Sequence, residues 1–367
     1  MTEILEKQRK ILAVEGLGAL IATSPENVGY SVGYMIPSQV IPIRKRQFYS
    51  IVTPDKEALI VVNVEYKEAL ANSAIRDVRE YNEFTEDPVD LVVEALKEFN
   101  VTDNRVGVEL DFIPARSIDR LRTTLPKTEI IDAERIFDRM RMIKTPGEIE
   151  TIREIARIVD QTHVEVYRNA RPGITEMDIA LMFIQGVLKR GASGMKNLVV
   201  GSGERSVFAN CPPTNRVLKN GDVMRVDVFA HLNGYLSDIA RTSVVGSPSK
   251  EQHQVWAKLC EAESLVFAMI KPGVTTAELW AAFLDYFTKA ELNPAINFLG
   301  HSIGLTLHEE PFIDRYNNYV VEEGMVLVIE PVFATGTEQY HLEDFALVTK
   351  DGCEILSDGR GQLPVII

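Results

Sequence analysis

RVDVFAHLNGYLSDIART, residues 225–242, reads as two strands folded around a tight turn. Asn233-Gly234 between apolar runs is a strong hairpin signal, because a type I′ turn needs φ > 0 at both central positions. A two-residue loop there sets Leu232 opposite Tyr235, Asp227 opposite Ala240 and Asp238 opposite Phe229. Positions two apart on a strand share a face, so Asp227 and Asp238 point the same way, one diagonal step apart at roughly 7–8 Å. Two carboxylates at that spacing can share metal ions. An Asp on a strand most often faces solvent, but Val226, Val228 and Phe229 leave Asp227 inside an apolar run. A buried charge without a partner either neutralises or binds something.

The hairpin belongs to a chain of 367 residues, enough for two domains. With 46% hydrophobic and 25% charged residues, the chain has the make-up of an ordinary globular protein. A net charge of −14 with no long basic run argues against nucleic acid and anionic membranes as partners. Cys211, Cys260 and Cys353 form no CxxC, which points to a reducing compartment and away from disulfide or zinc-thiolate frameworks. Cys211 in NCPP reads as a small buried residue rather than a reactive thiol. The stretch KILAVEGLGALIA is broken by Glu15 and two glycines, so no signal peptide is expected. No apolar run approaches the ~20 residues of a membrane span. The expectation is a soluble, cytoplasmic protein.

From the N-terminus, residues 2–16 read as an amphipathic helix and 19–23 as a strand. SPENVGYSVGY (24–34) reads as a loop. Strands at 48–52 and 58–62 flank the turn TPDK, followed by helices near 64–72 and 88–99 and a strand at 105–109. These make a small α/β domain over residues 1–135, with no cluster of chemistry, read as a scaffold or dimerisation domain. A boundary falls near 133–146, and the second domain runs over 139–367. Thr145-Pro146-Gly147-Glu148 is a capping box with Pro at the first helical position. Ile149, Ile152, Ile155 and Val159 follow at helical spacing, and His163 on the same helix reads as a packing residue.

An internal repeat then appears. RPGIT at 171–175 is echoed by KPGVT at 271–275, and each Thr opens an S/T-x-x-D/E cap, with Asp178 and Glu278 respectively. Each half ends in strands carrying two acids: Asp227 and Asp238 in the first, Glu330 (in MVLVIEPVF) and Glu343 (in HLEDFALVT) in the second. Two similar α+β halves packed face to face would bring four carboxylates together. Glu330 sits in a run that looks like a strand buried on both faces. Glu is almost never fully buried unless paired, so it is either a metal or catalytic residue or half of a structural salt bridge.

Between the acid-bearing strands lies GHSIGLTLHEEP (300–311). With these residues the chain resembles the pita-bread metallopeptidases, the family of methionine aminopeptidase, prolidase, aminopeptidase P and creatinase. That family's pattern is an Asp, a second Asp eleven residues on, GHxIGxxxHExP, a Glu after an apolar strand and a last Glu near the C-terminus. Asp227, Asp238, His301, Glu330 and Glu343 occupy the five ligand positions in order. The likeness covers roughly 139–367, with KTPGEIETIREIA and TNRVLKNGD similar to the prolidase branch, and the N-terminal residues resemble the extra domain of prolidases and creatinase. The resemblance implies an α+β chain: a C-terminal pita-bread domain with an internal pseudo-twofold repeat, behind a smaller N-terminal α/β creatinase-like domain. It implies two divalent ions, Mn²⁺ first, with Co²⁺, Fe²⁺ or Zn²⁺ as alternatives for so oxygen-rich a site. Asp227 and Glu343 would bridge them, Asp238 would hold one, and His301 with Glu330 the other. Such a pair activates a water and polarises the carbonyl it attacks. Glu330 would pass a proton to the leaving amine, and His308 would hydrogen-bond the substrate carbonyl or oxyanion. A homodimer is implied as well.

Two positions depart from the prolidase pattern. Where the peptidases carry a substrate-binding His ahead of the first Asp, this chain has Asn210, which donates a hydrogen bond but cannot become cationic. Where prolidases carry an Arg two residues before the last Glu, this chain has His341, without the bidentate guanidinium. Both changes fall on substrate-binding positions and spare the ligands. The leading reading is a dinuclear metal-dependent hydrolase cleaving a C–N bond, an Xaa-Pro dipeptidase or aminopeptidase. The alternative is a relative acting on a small non-peptide substrate, as an ectoine-type ring amide hydrolase or a lyase. A metal-free, creatinase-like amidinohydrolase or a binding module without catalysis fits less well, since no ligand is lost.

Overall fold

Short apolar runs separated by amphipathic helices build both parts of the chain. The structure, a computed structural model, describes residues 3–41, 43 and 46–367 and separates into two units, Met1–Arg141 and Met142–Ile367.

The first unit holds strands β1 (Ala19–Ala22), β2 (Tyr49–Val52), β3 (Glu57–Val62), β4 (Val78–Tyr81), β5 (Arg105–Val108) and β6 (Glu129–Asp132). They form one mixed sheet in the order β4-β3-β2-β1-β5-β6. The central strands are buried along nearly their whole length, as expected when helices cover both faces of a sheet. Those helices are α1 (Glu3–Glu15), α2 (Pro25–Val32), α3 (Pro37–Val40), α4 (Tyr66–Asn72), α5 (Pro88–Glu98), α6 (Ala115–Thr124) and α7 (Glu134–Met142). Residues 24–34, expected as a loop, contain α2. Ser24 caps it by accepting from Asn27 N–H, Pro25 starts it, and Gly33 ends it in the left-handed conformation. Gly29 reads as a loop residue in the sequence, yet it stands inside the helix where a Cβ would come within 2.5 Å of Met35 Sδ.

The second unit repeats one plan twice. Its first half has α8 (Pro146–Asn169), α9 (Glu176–Lys189), β7 (Gly194–Ser202), β8 (Val223–Leu232), β9 (Tyr235–Leu236) and β10 (Ile239–Val245). Its second half has α10 (Lys250–Met269), α11 (Thr276–Lys289), β11 (Phe298–Ser302), β12 (Glu309–Asp314), β13 (Val326–Ile329), β14 (Val332–Ala334), β15 (Gln339–His341), β16 (Asp344–Val348) and β17 (Cys353–Ile355). A last strand, β18 (Val365–Ile366), returns to lie parallel to β10. The sheets run β18-β10-β8-β7, with β9 paired to β8, and β12-β11-β13-β16-β17, with β14 and β15 forming a two-stranded ribbon.

The same signals drive both halves. Thr175 and Thr275 close full capping boxes with Asp178 and Glu278. The apolar stripes of α8 and α9 (Ile152, Ile155, Val159, Phe183) pack against Val226 and Val228 of β8. In the second half Trp256, Leu259, Phe283 and Phe287 pack against Leu327 and Ile329 of β13. Each such side chain contributes roughly 1.5–3 kcal/mol through burial. His163 is buried in the first core, its ring 4.8 Å from Phe183 and 5.5 Å from Tyr167. No helix among the described residues is long and apolar enough to cross a membrane.

Candidate metal centre

Alternation along β8 aims its two faces at different surroundings. Met224, Val226, Val228 and Ala230 enter the first-half core, leaving Arg225, Asp227 and Phe229 on the opposite face. Asn233 and Gly234 both have positive φ, 51° and 92°, so the turn is of the type the hairpin demands. The pairs Leu232–Tyr235 and Asp227–Ala240 follow, and Asp238 lies just before β10. Asp227 and Asp238 come within hydrogen-bonding reach of each other, and Asp238 also reaches Glu343.

The second half supplies the remaining groups. The β13–β16 and β14–β15 ladders keep one antiparallel register, with Ile329 opposite Asp344 and Val332 opposite His341. Between them Glu330 and Glu343 face each other, both buried. His301, on β11 opposite Val328, points Nε2 to within 3.5 Å of Asp238 Oδ2 and 3.3 Å of Glu330 Oε1. Its Nδ1 lies 2.8 Å from Ser302 O. A carbonyl only accepts, so Nδ1 carries a proton, which leaves Nε2 as the nitrogen turned to the acids, the one a metal-ligating histidine would use. His341, expected at a substrate-binding position, lies inside the cluster, with Nε2 3.4 Å from Glu330 Oε2 and 3.8 Å from Glu343 Oε2. His308 stands at the exposed edge, its ring 4.2 Å from that of His301, with Phe298 and Phe312 beside it at 5.9 and 5.8 Å. Asn210 is exposed on the loop following β7.

The electrostatics show how crowded this is. Burial first, then the neighbouring carboxylates, push Asp238 and Glu343 well above the usual carboxylate range. Burial raises Asp227 too, against the pull of His341 and Arg225. Burial also works upward on Glu330, but the imidazoles of His301 and His341 outweigh it and hold the acid at about 2. Desolvation and the neighbouring His301 lower His308 to about 4.

Buried polar atoms normally find partners. Here Asp227 Oδ1, His301 Nε2, Glu330 Oε1, Glu343 Oε2 and both ring nitrogens of His341 are buried with no hydrogen-bond partner. Three sets of ligand atoms, Asp238/His301/His308, Asp227/His341/Glu343 and His301/Glu330/Glu343, each lie within 4.8 Å of one another. Hard oxygen donors with one or two imidazoles suit divalent first-row ions, so the residues present fit a metal.

Three supports went unseen in the sequence. Arg225 is buried and donates to the carbonyls of Phe208 and Ala209, tying the loop that carries Asn210 to the strand that carries Asp227. Arg241, also buried, bonds Glu343 O, Asp344 and Asp160, joining β10 of one half to β16 of the other. Lys144 pairs with Glu309 at 2.9 Å, and Glu309 accepts from Leu305 N–H and Thr306 N–H, which fixes the loop ahead of His308. The signal for Arg225 was present, as a cation in an otherwise apolar strand.

Residues 150–350 match metallopeptidase family M24, and residues 4–143 match the creatinase/prolidase N-terminal domain. An Xaa-Pro dipeptidase of Pyrococcus furiosus is 28% identical over 99% of this chain and 100% of its own. The prolidase of Pyrococcus horikoshii superposes with a TM-score of 0.84 at 26% identity, over 99% of this chain and all of that one. The X-Pro aminopeptidase of Thermotoga maritima, at 24% identity, shares the fold with a TM-score of 0.87 over 99% of both chains. The chain therefore belongs to metallopeptidase family M24, a family of hydrolases, and joins a creatinase-like N-terminal domain to a pita-bread domain.

Proposed function

We propose that this protein is a dinuclear Xaa-Pro peptidase, a dipeptidase or aminopeptidase, with Asp227, Asp238, His301, Glu330 and Glu343 holding two divalent ions, Mn²⁺ first. The observation that carries the reading is the set of buried, unpartnered ligand atoms converging from both halves of the repeat. When bound, the ions polarise the scissile carbonyl and make a water acidic enough to attack it. Glu330 is the group for moving that water's proton to the leaving amine. His308 is open to substrate and offers a ring nitrogen to its carbonyl, beside an apolar wall of Phe298 and Phe312 suited to a proline ring. Asn210 offers a neutral donor from the loop that Arg225 holds.

Asn210 and His341 also support a second reading, in which the same centre opens a small amide or ring substrate, because Asn210 cannot become cationic and His341 lacks the bidentate guanidinium that helps hold the substrate's carboxylate in prolidases. One panel separates them: Ala-Pro, Xaa-Pro tripeptides, a non-proline dipeptide, creatine and ectoine, offered to the Mn²⁺-loaded enzyme. Chelator-sensitive cleavage of Ala-Pro is expected. No peptide cleavage with metal bound would replace the peptidase reading by the second one. Glu330→Gln is expected to lower kcat about 10²–10⁴-fold; activity within a few-fold of wild type would reject its role in proton transfer. We further read the protein as a cytoplasmic homodimer. Three unpaired cysteines suit a reducing compartment, and sedimentation at twice the chain mass tests the dimer.

A further inference from the structure

We propose that His341 is itself a metal ligand, so that each of the two ions in the proposed dinuclear centre has one imidazole. The inference deepens that reading and rests on it.

The backbone delivers His341 to the cluster without freedom to leave. Its N–H donates to Thr242 Oγ1 at 2.8 Å, and Thr242 Oγ1 donates back to its carbonyl at 3.0 Å. Two residues on, Glu343 N–H donates to Ala240 O, the residue opposite Asp227. Residues two apart share a face in extended chain, so His341 and Glu343 both look toward Asp227. Ligand atoms of Asp227, His341 and Glu343 lie within 4.8 Å of one another. The side chain of His341 is only 6% exposed, and neither ring nitrogen has a hydrogen-bond partner.

The second imidazole has its own set. His301 joins Glu330 and Glu343, with Nε2 freed for ligation by the Nδ1 bond to Ser302 O. Glu343 belongs to both sets, while Asp227 accompanies only His341 and Asp238 accompanies His301. A histidine that held a substrate's carboxylate would present a ring N–H toward solvent. His341 instead buries both nitrogens, with Nε2 3.4 Å from Glu330 Oε2 and 3.8 Å from Glu343 Oε2, where an ion is the partner that satisfies Nε2 and the acids together.

The test first counts ions and imidazoles, without using activity. Metal-free protein labelled with ¹⁵N-histidine is titrated with Mn²⁺, following stoichiometry by calorimetry and ligand nitrogens by pulsed electron paramagnetic resonance. Wild type is expected to take two ions and show two histidine nitrogens. His341→Ala and His341→Arg are expected to keep one ion, lose at least ~10-fold in affinity for the other and show one nitrogen. Two ions at wild-type affinity in either variant, or a single nitrogen in fully loaded wild type, would overturn the proposal while leaving the dinuclear centre standing. Fewer than two ions in wild type would overturn both. A lower KM for dipeptides in His341→Arg with unchanged metal affinity would return His341 to the substrate side. Because the wild-type spectrum decides by itself, a variant that fails to fold does not block the test.

Discussion

Residues 171–245 and 271–348 place the same parts at matching positions. Gly173 and Gly273 share φ values of 93° and 94°, Thr175 and Thr275 cap helices of 14 residues each, and Gly221 and Gly324 turn at 90° and 88° just ahead of β8 and β13. Gly173 N–H bonds Leu218 O, and Gly273 N–H bonds Val321 O. What they present to the centre differs. The first half sets Asp227 and Asp238 diagonally across a tight hairpin, whereas the second sets Glu330 and Glu343 face to face and adds two histidines. Turns and caps answer to local rules and survive in duplicate. The placement of the acids and histidines answers to register between strands, which the two halves have resolved in different ways.

The sharpest way to break the second half alone is Gly300→Ala. A Cβ there would fall 1.9 Å from Val328 O, inside the ladder that positions His301, so a loss of about 4 kcal/mol or more is expected in denaturant melts. Gly201→Ala in the first half meets Arg205 O at 2.8 Å, on a short turn that can shift, and is expected to cost only roughly 1–2 kcal/mol. Equal losses would show the two sheets to be equally rigid.

Removing metal probes both halves at once. Asp227, Asp238 and Glu343 have pKa values raised above those of the unfolded chain. The unfolded state then binds fewer protons across that window, so the stability of the metal-free protein falls as pH rises from about 4 through the raised values. Ions held by these acids, as proposed, would displace those protons, so chelation should lower Tm by on the order of 10 °C, and by more at pH 8 than at pH 6. A melting shift independent of pH would separate stability from these acids.

The smallest effect is a pair of mirror changes. After α9 the chain turns through Gly191 at φ 99°, and after α11 through Glu291 at φ 57°. Glu291→Gly should stabilise by about 1 kcal/mol and Gly191→Ala should destabilise by a similar amount, read as shifts in the urea midpoint.

The same division governs what could be read from residues alone. The Asn233-Gly234 turn announces itself locally, and once its geometry is known the pairing of Asp227 with Ala240 follows. The capping boxes at Thr145, Thr175 and Thr275 are equally local. Arg225 is not, because its value depends on the loop 208–209 folding back over β8. His341 reads as a substrate contact until the ribbon's register and its pairing with Thr242 turn it inward. In the first unit, β4 and β6 escape notice as short edge strands with little apolar alternation, and α2 was masked by its glycines.

Arg241 has a consequence for how the molecule opens. Its guanidinium is bonded to β16 and α8 from β10, and the Glu343 and His341 amides are bonded to β10. Parting the halves would strand the buried Arg241 guanidinium and the buried Asp344 carboxylate at once, so the seam lacks a cheap partial opening. Hydrogen exchange at the Glu343 amide should therefore report global unfolding of the second unit, with the same free energy as its core strands, and the seam should behave as one cooperative block rather than as a hinge.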